Sequence, residues 1–248
     1  MNPVVAVCIR TFSGKYKGKA YNRLPFLKRN MTSLVANTKI PHNVTVIDDV
    51  STLPEQHEYL HRIAKQGVID HLRIKASHKG RQHSFALQRY LGYKTGAPYI
   101  YICDDDYEYQ QGWLTELVES YEVLKKHYAD EGKQVGVLSG FNRKGRKYVE
   151  KFKVGGKTFG TVARWIGCRW LMSREVLEKG GWDQLAPTPN FPPNWTSPWI
   201  DDGSYQLALT SKFGFADAVV RLTRPSLIEH IGTIGVHAKP SKYIEGVK

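Results

Sequence analysis

The sequence predicts an α/β domain built on a mainly parallel sheet flanked by helices. Two observations carry that prediction. Short apolar runs bounded by polar residues alternate with segments whose apolar residues recur at helical spacing, the order expected of repeated strand–helix–strand units. In addition, seven of the eleven aspartates fall in three tight groups, Asp48-Asp49, Asp104-Asp105-Asp106 and Asp201-Asp202, each directly after an apolar run (VTVI, YIYIC and SPWI). A buried strand that ends in carboxylates presents them at one sheet edge, where ligands of open α/β sheets gather. Like charges so crowded need a cation to offset their repulsion.

The elements follow in order. Residues 4–9 are continuously apolar, as a central strand requires. A basic loop precedes a helix over 24–35, in which Leu24, Leu27, Met31, Leu34 and Val35 share a face, and Pro41 leads into a strand at 44–47. A helix at about 55–65, a strand at about 69–74, a helix at about 81–93 and a strand at 99–103 continue the alternation. The spacing of Leu114, Leu117, Tyr121 and Leu124 predicts the next helix, before a strand at 135–138. The second half is less regular. It is read as a Gly-rich hairpin over 155–160, a strand at 165–172, and a helix over 174–179 capped by Ser173. A proline-crowded loop around 187–198, a helix at about 203–213, strands at 218–222 and 226–229, and a tail over 232–248 that orders with substrate complete the prediction.

At 248 residues and 41% hydrophobic content the chain can bury one substantial core, so one domain is expected over 1–248, with residues to about 140 forming a ligand-binding half. No run reaches membrane-spanning length and no leader is evident, which gives a cytoplasmic expectation. Cys8, Cys103 and Cys168 are read as buried free thiols. The net charge of +13 points to a polyanionic partner and is concentrated in two glycine-containing stretches. Seven basic residues lie between Arg10 and Arg29 with no acidic one, among them Lys15 and Lys17. Seven more, including Arg146 and Lys147, lie between Arg143 and Lys157 against Glu150 alone. A phosphate-tracking surface and a pair of solvated faces both fit these loops.

Asp104 and Asp106 follow a strand and precede a helix, so they stand in a turn with oxygens free for Mg²⁺ or Mn²⁺. Such an ion bridges carboxylates to a diphosphate and neutralises leaving-group charge. The alternative is an acidic turn that caps the following helix.

Six elements, in order along nearly the whole chain, resemble the nucleotide-sugar glycosyltransferases of the GT-A fold, in particular the large inverting family 2 type. They are the strand ending in Thr11-Phe12, Asp48-Asp49-Val50-Ser51, Gly80 with Ala86 and Arg89 ahead of YIYICDDD, Gly180-Gly181-Trp182-Asp183, Asp201-Asp202, and His230-Ile231-Gly232. The resemblance implies that Asp104 and Asp106 hold the metal on the donor diphosphate, with His230 a further metal ligand or else a core histidine. It implies that Thr11, Asp48, Asp49 and Asp105 line the nucleotide-sugar site, with Lys79 and Arg81 as phosphate donors or solvated turn residues. The acidic pair supplies the general base, Asp202 with Asp201 in support, although the family more often has Glu-Asp there. Trp182, Asp183, Trp195 and Trp199 are placed on the acceptor side as stacking or packing residues, with Lys15, Lys17, Arg146 and Lys147.

The implied activity is metal-dependent, inverting sugar transfer from a nucleotide diphosphate donor, a UDP-sugar foremost, to a hydroxyl. Charge placement directs the acceptor expectation to DNA bearing a hydroxylated or hydroxymethylated base, as in bacteriophage DNA modification. A lipopolysaccharide or capsule glycan is the alternative, and metal-dependent phosphoryl transfer on nucleic acid a further one.

Overall fold

The computed structural model describes residues 4–16, 19–77, 81–143, 145–162, 169–179 and 202–232. The central strand β1 (Val5–Thr11) is buried at every position. It pairs in parallel with β4 (His42–Asp48) on one side and β6 (Tyr99–Asp104) on the other, and β5 (His71–Ile74) extends the parallel half. A β1 strand flanked by later strands on both sides creates a topological switch, the crevice where open α/β sheets bind ligands.

Alternation along β1 divides the core. Val5, Val7 and Ile9 face one apolar layer with Leu27, Leu60 and Leu117, whereas Ala6 and Cys8 face a second layer with Phe85, Val176 and Tyr205. The first layer is covered by α1 (Leu24–Asn37), α2 (Pro54–Lys65) and α4 (Trp113–Asp130), and the second by α3 (Arg81–Lys94), α5 (Arg174–Lys179) and α6 (Asp202–Ser211). Because both faces are buried, the strand reads as continuously apolar and not as an alternating pattern. Prolines at the first turn of α1 and α2 start those helices where a missing N–H costs nothing. Val35, placed with the apolar residues of the first helix, is 56% exposed on its outer side.

The remaining strands continue the sheet beyond β6 in the order β11 (Arg169–Ser173), β8 (Leu138–Ser139), β12 (Ala218–Arg221), β10 (Lys157–Val162) and β9 (Lys151–Val154). Here β11 runs antiparallel to β6 and β8, and β10 antiparallel to β12 and β9. The expected hairpin is present, but Gly155 and Gly156, both at positive φ, form its turn and its strands extend further each way. Ser173 ends β11 where a helix cap was expected, and α5 follows directly.

Two short ladders lie off the main sheet. One is a hairpin, β2 (Gly14–Tyr16) with β3 (Lys19–Tyr21), inside the first basic stretch. The other joins β7 (Tyr107–Tyr109) to β13 (Ile228–His230), pairing His230 with Tyr107. At three residues each, these strands are too short to show a period of two in sequence.

Candidate active site

Register brings two of the three aspartate groups to one edge. Thr11 is the partner of Asp48 across β1 and β4, and Arg10 is the partner of Asp104 across β1 and β6. The strands therefore end side by side at the switch point. The third group lies where α6 opens at Asp202; Tyr205, one turn on, stacks on Trp170 of β11 at 6.3 Å.

The Asp104–Asp106 run is threaded between basic side chains. Arg10 Nε donates to Asp104 Oδ1 at 2.9 Å, and Thr11 Oγ1 donates to Asp105 Oδ2 at 2.5 Å. Arg23 donates through Nε to Asp105 Oδ1 at 2.8 Å and reaches Asp106 Oδ2 through Nη2 at 2.7 Å. His230 Nε2 lies 3.2 Å from the same Asp106 oxygen. Asp106 Oδ1 is buried and, among the described residues, has no hydrogen-bond partner. Asp104 is the most open of the three, its side chain 28% exposed against 1% for Asp105 and 9% for Asp106.

Burial raises a carboxylate's pKa and facing cations lower it. At Asp105 burial prevails over Arg23, the Asp106 charge adds to the rise, and the pKa is raised. At Asp106 the hydrogen bond to His230 and the charge of Arg23 outweigh burial, and the pKa is lowered. Asp106 is thus held as an anion at neutral pH, the form that ligates a hard cation.

Gly232 confirms how closely the last strand approaches. A Cβ at this position would overlap Asp106 Oδ2 and lie 2.8 Å from its Cγ. Ile231 N–H also donates to the Asp106 carbonyl at 2.9 Å. The backbone after His230 therefore forms one wall of the Asp106 pocket.

Asp48 and Asp49 sit at the neighbouring strand end but turn inward. Asp48, 0% exposed, accepts from Ser51 N at 2.6 Å and from Gln56 Nε2 at 2.9 Å, which ties the loop after β4. Gln56 also donates to Ser51 Oγ at 2.7 Å and Thr11 Oγ1 at 3.2 Å, and accepts from Ser13 Oγ at 2.5 Å. Asp49 is ion-paired with Lys75, whose Nζ lies 3.0 Å from Ser84 Oγ. Within this loop Val50 adopts φ 65°, a left-handed conformation costly for a β-branched residue and held in place by the Asp48–Ser51 bond.

Of the first basic stretch, Arg10 and Arg23 are internal counter-ions and Arg29 pairs with Glu108 at 2.6 Å, so its free charge is smaller than the sequence suggests. Lys15 is exposed on β2. Arg146 is half-buried in the wall of a cavity and Lys147 is exposed beside it. Lys17, Lys79, Trp182, Asp183, Trp195, Trp199 and Asp201 lie outside the described residues, as do the side chains of Arg81 and Asp202, which open α3 and α6. Cys8 and Cys103 are buried free thiols, with burial pushing Cys8 up to about 12, and Cys168 lies outside the described residues. Sequence reading missed Arg23, Gln56 and Lys75 as site residues; Arg23 stood within the basic stretch with nothing in the sequence to set it apart.

Among the described residues no three histidine, cysteine or carboxylate side chains gather into a set that could hold a metal unaided. The fit to a divalent ion rests on the orphaned Asp106 Oδ1 beside the open Asp104, since Mg²⁺ commonly takes one or two carboxylates and completes its shell from substrate phosphate. No described helix is long and apolar enough to cross a membrane.

A parallel half-sheet with a switch point, carboxylates on the adjoining strand ends and an antiparallel extension are the architecture of the GT-A fold. The chain belongs to glycosyl transferase family 2, whose family model matches residues 19–181. The structure is similar to that of S. aureus TarS (TM-score 0.56, 11% identity, covering 92% of this chain and 37% of that one). It is also similar to the mannosyltransferase PcManGT from Pyrobaculum calidifontis in complex with GDP-Man and Mn²⁺ (TM-score 0.52, 15% identity, 89% and 57%). A third is GalNAc-T7 with UDP, GalNAc and Mn²⁺ (TM-score 0.57, 14% identity, 98% and 46%). At such identities the likeness shows the fold, and the chain spans between 37% and 57% of the length of these structures. No curated protein sequence matches the chain.

Proposed function

We propose that this chain transfers a sugar from a nucleotide diphosphate donor to an acceptor hydroxyl with a divalent metal, Mn²⁺ or Mg²⁺, at Asp106 and Asp104. The observation that carries the proposal is the buried Oδ1 of Asp106, unpartnered among the described residues, at the switch point of a family 2 chain. The metal, when bound, offsets the charge that develops on the departing diphosphate. Arg23 and His230 hold Asp106 Oδ2 and so orient Oδ1. Arg10 fixes Asp104, and the Gln56 network fixes the loop after β4 that borders the nucleoside side of the switch point.

Asp202, at the start of α6, is proposed as the general base, with Asp201 in support. Its carboxylate takes the proton of the acceptor hydroxyl as that oxygen bonds to the anomeric carbon and the bond to the diphosphate breaks. One displacement of this kind inverts the anomeric centre. A UDP-sugar is the favoured donor, in keeping with the UDP named in the GalNAc-T7 structure and in a TarS structure. The acceptor reading is a polyanion, DNA with a hydroxylated or hydroxymethylated base foremost, and it rests on the net charge of +13. None of the structures named above is described with a nucleic-acid acceptor.

The test pairs donor binding with transfer. UDP-sugar plus Mn²⁺ is expected to raise the melting temperature of both the wild type and Asp202→Asn, because ligands that bind the folded state stabilise it. Transfer to hydroxymethylated DNA is expected to fall by about 100-fold or more in Asp202→Asn. Undiminished transfer by that variant would remove Asp202 from the role.

A further inference from the structure

A cavity of about 740 Å³ opens between the 142–151 stretch and the 222–226 turn. Among the described residues four cations, Arg143, Arg146, Lys151 and Arg224, line it, and no acidic side chain does. Arg146 is the informative one. Its Nη1 is buried and, among the described residues, without a hydrogen-bond partner. Among the described residues the groups that act on this guanidinium besides its burial are Arg169, Tyr148 and Arg143, none of them a carboxylate. A half-buried guanidinium in such company is destabilised unless an anion enters.

The walls are already set. Tyr148 donates to Asn142 Oδ1 at 2.7 Å, and Asn142 N donates to Ser226 Oγ at 2.9 Å. The Tyr148 ring lies so close over Gly160 that a Cβ there would come within 2.9 Å of the ring's Cε1. Lys151 Nζ stands 5.5 Å from the centre of the same ring. The cavity also adjoins the candidate active site. Phe141, next to Asn142, packs at 6.4 Å against His230, whose Nε2 contacts Asp106. Arg169 bridges the two by lying over Phe141 at 4.2 Å and over Tyr107 at 5.2 Å.

We propose that this cavity binds a phosphodiester of the acceptor, one link away from the hydroxyl that receives the sugar. The inference rests on the transferase reading above and adds a phosphate subsite to it. Guanidinium groups pair with phosphate oxygens through two parallel N–H donors, which suits Arg143, Arg146 and Arg224 in a concave site. An aromatic wall suits the ring attached to that phosphate. A flat anionic membrane face would need these cations on a convex surface, whereas they line a concavity.

The experiment titrates inorganic phosphate by calorimetry into protein saturated with UDP and Mn²⁺, so that the donor diphosphate site is filled. The wild type is expected to bind phosphate, and a short oligodeoxynucleotide is expected to displace it. Arg146→Gln with Arg224→Gln is expected to weaken phosphate about tenfold or more, while Arg146→Lys keeps part of the affinity. UDP–Mn²⁺ affinity serves as a control and is expected to be unchanged in all three proteins, and the melting temperature of the variants is expected not to fall below that of the wild type. Equal phosphate affinity in the wild type and the double variant would overturn the proposal. So would binding to phosphatidylglycerol vesicles combined with failure of the oligonucleotide to compete. If wild-type protein without added UDP failed to bind UDP and Mn²⁺ yet bound phosphate through Arg146, the transferase reading would fail and the anion site would stand.

Discussion

His230 Nε2 lies 3.2 Å from Asp106 Oδ2, although 124 positions separate the two residues. The two-stranded ladder that pairs His230 with Tyr107 produces this contact. It occupies one oxygen of Asp106 and leaves the other, Oδ1, buried and unpartnered among the described residues. A carboxylate held in that way is pre-aimed, so binding an ion there costs little side-chain freedom.

Replacement of Asp106 by Asn keeps the size and most hydrogen-bonding capacity but removes the charge. The variant is expected to fold and to lose turnover by about 100-fold or more, since metal-assisted stabilisation of a leaving diphosphate is worth several kcal/mol. Initial rates across a Mn²⁺ titration check it. Rates within about threefold of wild type at saturating Mn²⁺ would take Asp106 out of the metal site.

Gly232 to Ala tests the wall on the other side. The added methyl overlaps Asp106 Oδ2, so either the carboxylate or the backbone after His230 must shift. A misplacement on the order of 1 Å at a reacting site costs about 100-fold. The Mn²⁺ dependence is expected to move to higher metal concentration with melting temperature little changed, because Gly232 is only partly buried and lies outside any strand or helix. Thermal denaturation and metal titration of the same preparation separate the two effects.

Helix α4 is tied to the antiparallel extension of the sheet through one carboxylate. Glu116 of α4 accepts from Lys157 of β10 at 2.6 Å and from Arg221 of β12 at 2.8 Å. Burial would raise its pKa, but the bonds to Lys157 and Arg221 lower it below the usual carboxylate value. A lowered folded pKa means stability that is present above the unfolded pKa, about 4.3, and is lost as pH falls through the folded value. Glu116→Gln is expected to cost about 1 kcal/mol at pH 7, discounted for partial exposure, with the difference narrowing as pH falls below the unfolded pKa toward the lower folded one. Urea unfolding of both proteins at pH 7 and pH 3.5 measures it; a gap that persists undiminished at the lower pH would point to lost packing and not lost charge.

Much of the fold was legible because the relevant physics is local. Val5–Thr11 reads as a buried strand since its backbone is covered on both faces, and Leu24, Leu27, Met31 and Leu34 read as one helix face since 3.6-residue periodicity is a property of the chain itself. The aspartates could be placed at strand ends for the same reason. Strand direction could not be read: the β11 strand looks like any other apolar run, and its antiparallel insertion beside β6 depends on partners far along the chain.

The sequence by itself determined a basic α/β chain with acidic strand ends and the motif order of family 2, all matters of composition and short-range pattern. Tertiary structure alone decided which charges are spent internally. Arg10, Arg23 and Lys75 neutralise Asp104, Asp105, Asp106 and Asp49, whereas Arg146 is left facing other cations. The reason is that an ion pair depends on distance through space, which register and loop closure set, and a linear charge count carries no such distance.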